Sequence, residues 1–246
     1  FDFLILDPAV GPDPFPALAA LAAVCDQLGL VGSVDTTSNE PFAVARQLAT
    51  LDHLSGGRAG WSVGPPPGRA DRAEEFVTAT RAFLDSWAPG AVLADDGTGV
   101  YVDAGQVRVI EHHGVEFDVR GAATLPAGPQ GFPVLLQDGD SAEGCAEHAD
   151  ILVASHLGLL AGRKYGRGPG RPKVFMEVSV AGQLGGTAER VAAELDRYVQ
   201  SDVCDGFVLA PGGLDEFVES VIPLLQDRGA FPTEYEPKTL RDRLGP

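Results

Sequence analysis

Seven short apolar runs punctuate this chain, and most are separated by stretches with helical periodicity. They fall at 1–7 (FDFLILD), 30–34 (LVGSV), 59–63 (AGWSV), 133–137 (PVLLQ), 151–154 (ILVA), 174–180 (VFMEVSV) and 206–209 (GFVL). Near-continuous apolar runs of this length suit strands covered on both faces, as in parallel sheets. Between them lie an Ala/Leu-rich helix over 15–28 and a second helix that Pro41 opens and Gly56-Gly57 stops. Ser38 or Asn39 is placed to cap that second helix. Further helices are expected at 69–87, 141–149, from Thr187 to about 200, and 214–228. In the helix over 69–87, Arg69, Arg72, Glu74 and Glu75 are spaced for i,i+3 or i,i+4 pairing. Parallel strands need right-handed crossovers, so the pattern admits a doubly wound sheet or an α/β barrel. Seven strands are one short of a closed eight-stranded barrel. Residues 88–128 break the alternation with Gly, Asp and Val and short β-like pieces at 99–102 and 116–119. They read as an excursion from the main fold and not as a separate domain.

A length of 246 residues fits one such domain. The formal net charge of -17 argues against a nucleic-acid or anionic-membrane partner, because a surface this acidic repels phosphate. No apolar run approaches the roughly 20 residues that span a bilayer. The chain opens on Phe1 with no methionine and no leader, so its true N-terminus is expected to lie further upstream. Cys25, Cys145 and Cys204 are scattered and lack metal-site or disulfide-framework spacing, which fits a reducing, cytoplasmic setting. No metal site is expected.

SNEPFAVARQLATLDHLSGGRAGW (38–61) resembles the nitrilotriacetate monooxygenase (component A) branch of the bacterial luciferase-like, flavin-dependent monooxygenases. Three further blocks agree in order: ADRAEEFVTATRAFLDSW (70–87) with VRVIEHHGVEFDVRG (107–121), PQGFPVLLQDGDSAEG (129–144), and the segment from Cys204 to Gly245. The resemblance implies an α/β fold of the TIM (β/α)8-type barrel, shortened, with the excursion around 88–128. Residues 1–246 would form a single domain whose first strand precedes residue 1. It also implies FMN, reduced by a separate flavin reductase, a small organic substrate, and a homodimer or a related partner subunit.

The resemblance places cofactor contacts at the C-terminal ends of strands. Asp7, Thr36, Thr37 and Ser62 would face the flavin ring, although polar residues also end strands simply where loops begin. Gly139, Asp140 and Ser141 occupy the phosphate-binding run, in which an anion meets a helix N-terminus. Ser141 reads equally as a plain N-cap. Asp138 and Asp140 oppose a phosphate, since a like charge about 5 Å away costs about 3 kcal/mol at an effective dielectric near 20. A micromolar affinity is worth only about 8 kcal/mol. No catalytic side chain is assigned. His53 reads as structural, His112-His113 as a family feature without a chemical role, and His156 as the histidine nearest the strand ends, while His148 has no assigned place. The family's longer loops shrink here to Gly64–Gly68, 155–173 and 180–187, which removes cover from a reactive flavin. Asp52 and Arg58 form a candidate pair across the helix-to-strand joint.

Two functions follow. The first is a reduced-flavin-dependent monooxygenase or flavin-binding member. The second is a degenerate, non-catalytic barrel that serves as a partner subunit or scaffold without flavin. A deazaflavin-using barrel is a third reading, supported by kinship alone.

Overall fold

Each of the seven apolar runs contributes a strand. The structure, a computed structural model, describes residues 1–64, 69–139, 148–155, 170–179, 186–236 and 238–245. They group into two compact units: the described residues of Phe1–Leu136, Glu143–Ala149 and Lys238–Pro246, and those of Gln137–Ala142 and Asp150–Pro237. Among the described residues no helix is long and apolar enough to cross a membrane.

In the first unit β1 (Phe3–Leu6), β2 (Gly29–Val34) and β3 (Ala59–Val63) pair in parallel. They are joined by α1 (Pro14–Ala22) and α2 (Pro41–Ser55), and β3 leads on to α3 (Ala70–Leu84). The excursion folds as two antiparallel hairpins, β4 (Val92–Asp95) with β5 (Val100–Val102) and β6 (Ile110–His113) with β7 (Asp118–Gly121). The hydrogen-bonded order then runs β1-β2-β3-β8, with β8 at Val134–Asp138. The last two residues of β8 belong to the second unit. There the order continues through β9 (Ile151–Ala154), β10 (Lys173–Val178) and β11 (Gly206–Leu209), and the pairs β9-β10 and β10-β11 are parallel. Thr187 stands at the N-cap of α4 (Ala188–Gln200), as its sequence position suggests. The last long helix, α5, is composite: Leu214–Glu216, a π-helical turn over Phe217–Val221, and Ile222–Asp227. Pro223 accounts for the irregularity, because it offers no N–H to the preceding turn. A short α6 (Leu240–Leu244) returns to the first unit.

Apolar side chains of strands and helices pack into one core per unit. Leu30, Val34, Trp61, Val63, Phe76 and Leu135 anchor the first. Met176, Val178, Leu195, Phe217 and Leu225 anchor the second. Each fully buried large side chain contributes about 1.5–3 kcal/mol.

The joint between α2 and β3 lies at the N-terminal end of the strands. Gly56 and Gly57 take positive φ of 66° and 88° and end α2. Asp52, fully buried, accepts the Ala59 N–H (3.3 Å), the Gln130 N–H (3.1 Å) and the Gln130 side-chain amide (2.6 Å). Arg58 instead donates to the carbonyls of Ser55 (2.7 Å), Leu28 (2.7 Å) and Ala22 (3.5 Å). The expected Asp52–Arg58 pair is therefore replaced by two separate sets of partners. The same arginine explains why α1 stops at Ala22 and not at residue 28: the chain turns so that Ala22 and Leu28 present their carbonyls to it.

Candidate functional site

Side chains alternate across a strand, and the apolar core settles which face is which. Leu30 and Val34 of β2 and Ala59, Trp61 and Val63 of β3 belong to the core packed against the helices. Val31 and Ser33, and Gly60 and Ser62, therefore share the opposite face. Ser33 and Ser62 stand in direct register on β2 and β3. Asp7 follows one residue after the registered Leu6–Gly32 pair and so continues the same row. Asp7, Ser33 and Ser62 thus form a polar row at the C-terminal ends of three adjacent strands.

The structure gives each expected residue a particular role. Asp7 is exposed, and its Oδ1 accepts the Ala9 N–H at 2.8 Å, which caps a single 3-10 turn over Pro8–Val10. Ser62 is half-buried. Thr36 is fully buried; its carbonyl accepts from Arg72 Nε at 2.9 Å, while its Oγ1 has no hydrogen-bond partner. Thr37 is exposed and is held by Asp35, which accepts both its N–H (2.9 Å) and its Oγ1 (2.7 and 2.8 Å). Ser38 Oγ donates to the same carboxylate at 2.7 Å, and Asn39 Nδ2 donates to the Asp35 carbonyl at 2.9 Å. Neither caps α2: Glu40 stands at the N-cap without a side-chain bond. The Thr37 and Ser38 hydroxyls and the Thr37 N–H, helped by the Arg72 charge, hold the Asp35 carboxyl below its ordinary value against a smaller effect of burial.

In the second unit, the Gly139 N–H donates to the Val153 carbonyl at 2.7 Å. A Cβ at Gly139 would stand 3.1 Å from that carbonyl oxygen, so the close approach favours glycine. Gln137 is buried, and neither polar atom of its side chain has a partner. Asp140, Ser141 and His156 lie outside the described residues, as do 65–68 and most of the shortened loops at 155–173 and 180–187. His53 sits on α2 with Nε2 3.2 Å from the Pro126 carbonyl, a structural contact. Among the described residues no cluster of three or more potential ligands could hold a metal ion.

Three residues escaped the sequence reading: Ser33, Asp35 and Arg72. Strand alternation alone could have found Ser33. The run Asp35-Thr-Thr-Ser-Asn39 carries the signature of an Asp-nucleated turn. Arg72 had only its helical spacing to Glu75 to go by, and that pairing does not form. Arg69 and Arg72 both turn to Glu116, Arg72 at 2.9 Å.

The comparison with known families decides the kinship. The family described as luciferase-like monooxygenase matches residues 1–201. The chain belongs to that family. Among its relatives is nitrilotriacetate monooxygenase component A of Aminobacter aminovorans, 28% identical over 355 residues, an alignment covering 95% of this chain and 78% of that protein. A pristinamycin IIA synthase subunit of Streptomyces pristinaespiralis is 31% identical over 231 residues, covering 92% of this chain and 75% of that protein. The crystal structure of a long-chain alkane monooxygenase superposes with a TM-score of 0.84 at 25% identity, covering 96% of this chain and 77% of that one. Alignment length separates the two sequence relatives. A 355-position alignment to a 246-residue chain leaves more than a hundred positions of component A facing gaps, whereas the 231 positions shared with the synthase subunit run almost without insertions.

Proposed function

We propose that this member of the luciferase-like monooxygenase family binds reduced FMN, supplied by a separate flavin reductase, and oxygenates a small organic substrate. The supporting observation is the polar row Asp7, Ser33 and Ser62 at three adjacent strand ends, together with a Thr36 hydroxyl, two residues past the end of β2, that is buried and unpartnered. Leaving a hydroxyl of that kind unmet costs about 1–3 kcal/mol, so the position suits a ligand with a hydrogen-bonding edge, and an isoalloxazine has one. Buried Gln137 with its unpartnered amide gives the second unit a donor and an acceptor of the same kind. On this reading all of 1–246 belongs to one domain.

When bound, reduced FMN supplies the electrons that activate dioxygen, and the protein supplies position and polarity. Ser33 and Ser62 would hold the ring edge by hydrogen bonding. Thr36 would donate or accept through its hydroxyl from a loop fixed by Asp35. The family resemblance assigns the phosphate to the run Gly139-Asp140-Ser141, in which the Gly139 N–H is already given to the Val153 carbonyl and is not one of the phosphate donors. Titration with FMN and reduced FMN, followed by flavin fluorescence and thermal shift, tests the reading. Saturable micromolar binding is expected, and Asp140→Asn should tighten it by removing a like charge. No saturation at high micromolar flavin would refute it.

The near gap-free match to one subunit of a synthase supports a second reading, in which the chain is the short partner of a longer luciferase-like subunit. It speaks for partnership and not for loss of catalysis. Without flavin binding, the same surface would leave the chain a non-catalytic partner or scaffold.

A further inference from the structure

The HHGVEF segment of the excursion (112–117) resembles a family feature, and its chemistry is visible in its contacts. Glu75 on α3 points its carboxylate into the turn between β6 and β7. Oε2 accepts the N–H groups of Val115 (3.1 Å) and Glu116 (3.0 Å); Oε1 accepts the Phe117 N–H (2.7 Å) and lies 3.1 Å from His112 Nε2. Successive backbone N–H groups turned onto one anion form a nest. A Cβ at Gly114 would overlap the Glu75 carboxylate, so the carboxylate holds this place in the turn only over a glycine. Phe117 then packs edge-on against Phe76 with centroids 5.6 Å apart, and the Arg72 guanidinium lies 4.4 Å from the centre of the Phe117 ring. Arg72 NH1 donates to Glu116 at 2.9 Å while its Nε donates to the Thr36 carbonyl at 2.9 Å. One guanidinium therefore bridges the clamped turn and the loop at the end of β2.

We propose that the turn at 114–117 is a backbone nest for Glu75 that locks α3 in place, and that Arg72, fixed by it, is the positioning residue for the loop Asp35–Asn39. The consequence for cofactor binding rests on the flavin reading above. Arginine suits the task because its planar fork satisfies two acceptors at fixed angles, whereas lysine has a single charged head. If Arg72 is lost, the Thr36 carbonyl loses its donor and Glu116 keeps only Arg69, so the link between the clamped turn and the loop is cut and the turn in which Asp35 holds Thr37 loses its support.

The test uses the full chain as wild type, R72M and R72K. Amide exchange at Thr37 reads the loop, FMN titration reads the site, and the melting temperature reports folding. R72M should exchange the Thr37 amide about tenfold faster and bind FMN about tenfold more weakly, the scale of one charged hydrogen bond. R72K should fall between R72M and wild type in both. Unchanged Thr37 exchange in a folded R72M overturns the proposal. So does faster exchange with unchanged FMN affinity in a protein whose wild type binds FMN. A wild type that takes no flavin, with R72M still loosening Thr37, supports the clamp and removes the flavin reading alone.

Discussion

Glu75 shows how a surface-helix carboxylate becomes structural. Burial pushes its carboxyl up, but the Glu116 N–H, the His112 ring and the N–H groups of Phe117 and Val115 outweigh burial and hold it below its ordinary value. A carboxyl with a depressed folded value stabilises the fold above its unfolded value and stops doing so as pH falls through the folded one. The Glu75 contribution is therefore complete above about pH 4.3 and is lost below it. Glu75→Gln keeps the shape and removes the charge, so it should lower stability at pH 7 by about 1–2 kcal/mol. Urea unfolding of the two proteins should show that gap closing as pH is lowered to 3. A gap that persists undiminished at pH 3 would mean that the charge is not what the nest holds. The turn donors for Glu75 are about 40 residues away in sequence. Helical spacing therefore pointed to Arg72 as its partner, and only the folded hairpin could supply the real ones.

Among the elements, α6 has an influence beyond its length. Leu240 is fully buried, and its N–H donates to the Gly57 carbonyl at 2.8 Å. A Cβ at Gly29 would stand 2.8 Å from Leu240 Cδ1, and one at Gly60 3.4 Å from Cδ2. The two strand glycines thus make room for the leucine, which seats at the N-terminal end of β2 and β3, away from the polar row. The Arg241 N–H donates to Gln130 Oε1 at 2.9 Å and so joins α6 to the residue that Asp52 holds. Leu240→Ala should cost about 2–5 kcal/mol, measured by urea denaturation, because it removes a fully buried side chain and leaves a cavity over the two strand glycines. A loss under about 1 kcal/mol would show that α6 merely rests on the sheet. At this scale much was legible in advance. Each apolar run contributed a strand, Gly56-Gly57 ended α2, and residues 88–128 left the main pattern, because periodicity and backbone conformation are local properties. The early end of α1 at Ala22 was not legible, since Arg58 imposes it from 36 residues away. The strand-end row was half legible: Asp7 and Ser62 announce themselves as polar ends of apolar runs. Ser33 sits inside its run, and its place emerges only from register with Ser62.

At the scale of the whole molecule, the family scaffold occurs here in a short form. Component A carries more than a hundred positions that this chain does not match, yet the pristinamycin IIA synthase subunit aligns over 231 residues almost without insertion. Cover over the strand ends of such a scaffold excludes water, and exclusion of water decides how long a reactive flavin survives. A short form can obtain that shielding from another polypeptide, and a longer family member has loops to lend. The formal charge of -17 bears on the choice of neighbour, because two copies this acidic repel each other more than either repels a less acidic partner. Light scattering at low and moderate salt, on the chain alone and on the chain produced with a longer luciferase-like subunit from its own source, separates the outcomes. A one-to-one pair that retains flavin better than either chain alone is the result expected of a partner subunit. A homodimer at both salt concentrations that saturates with FMN and ignores the longer subunit would count against partnership. It would instead leave the strand ends of this chain to protect the flavin by themselves.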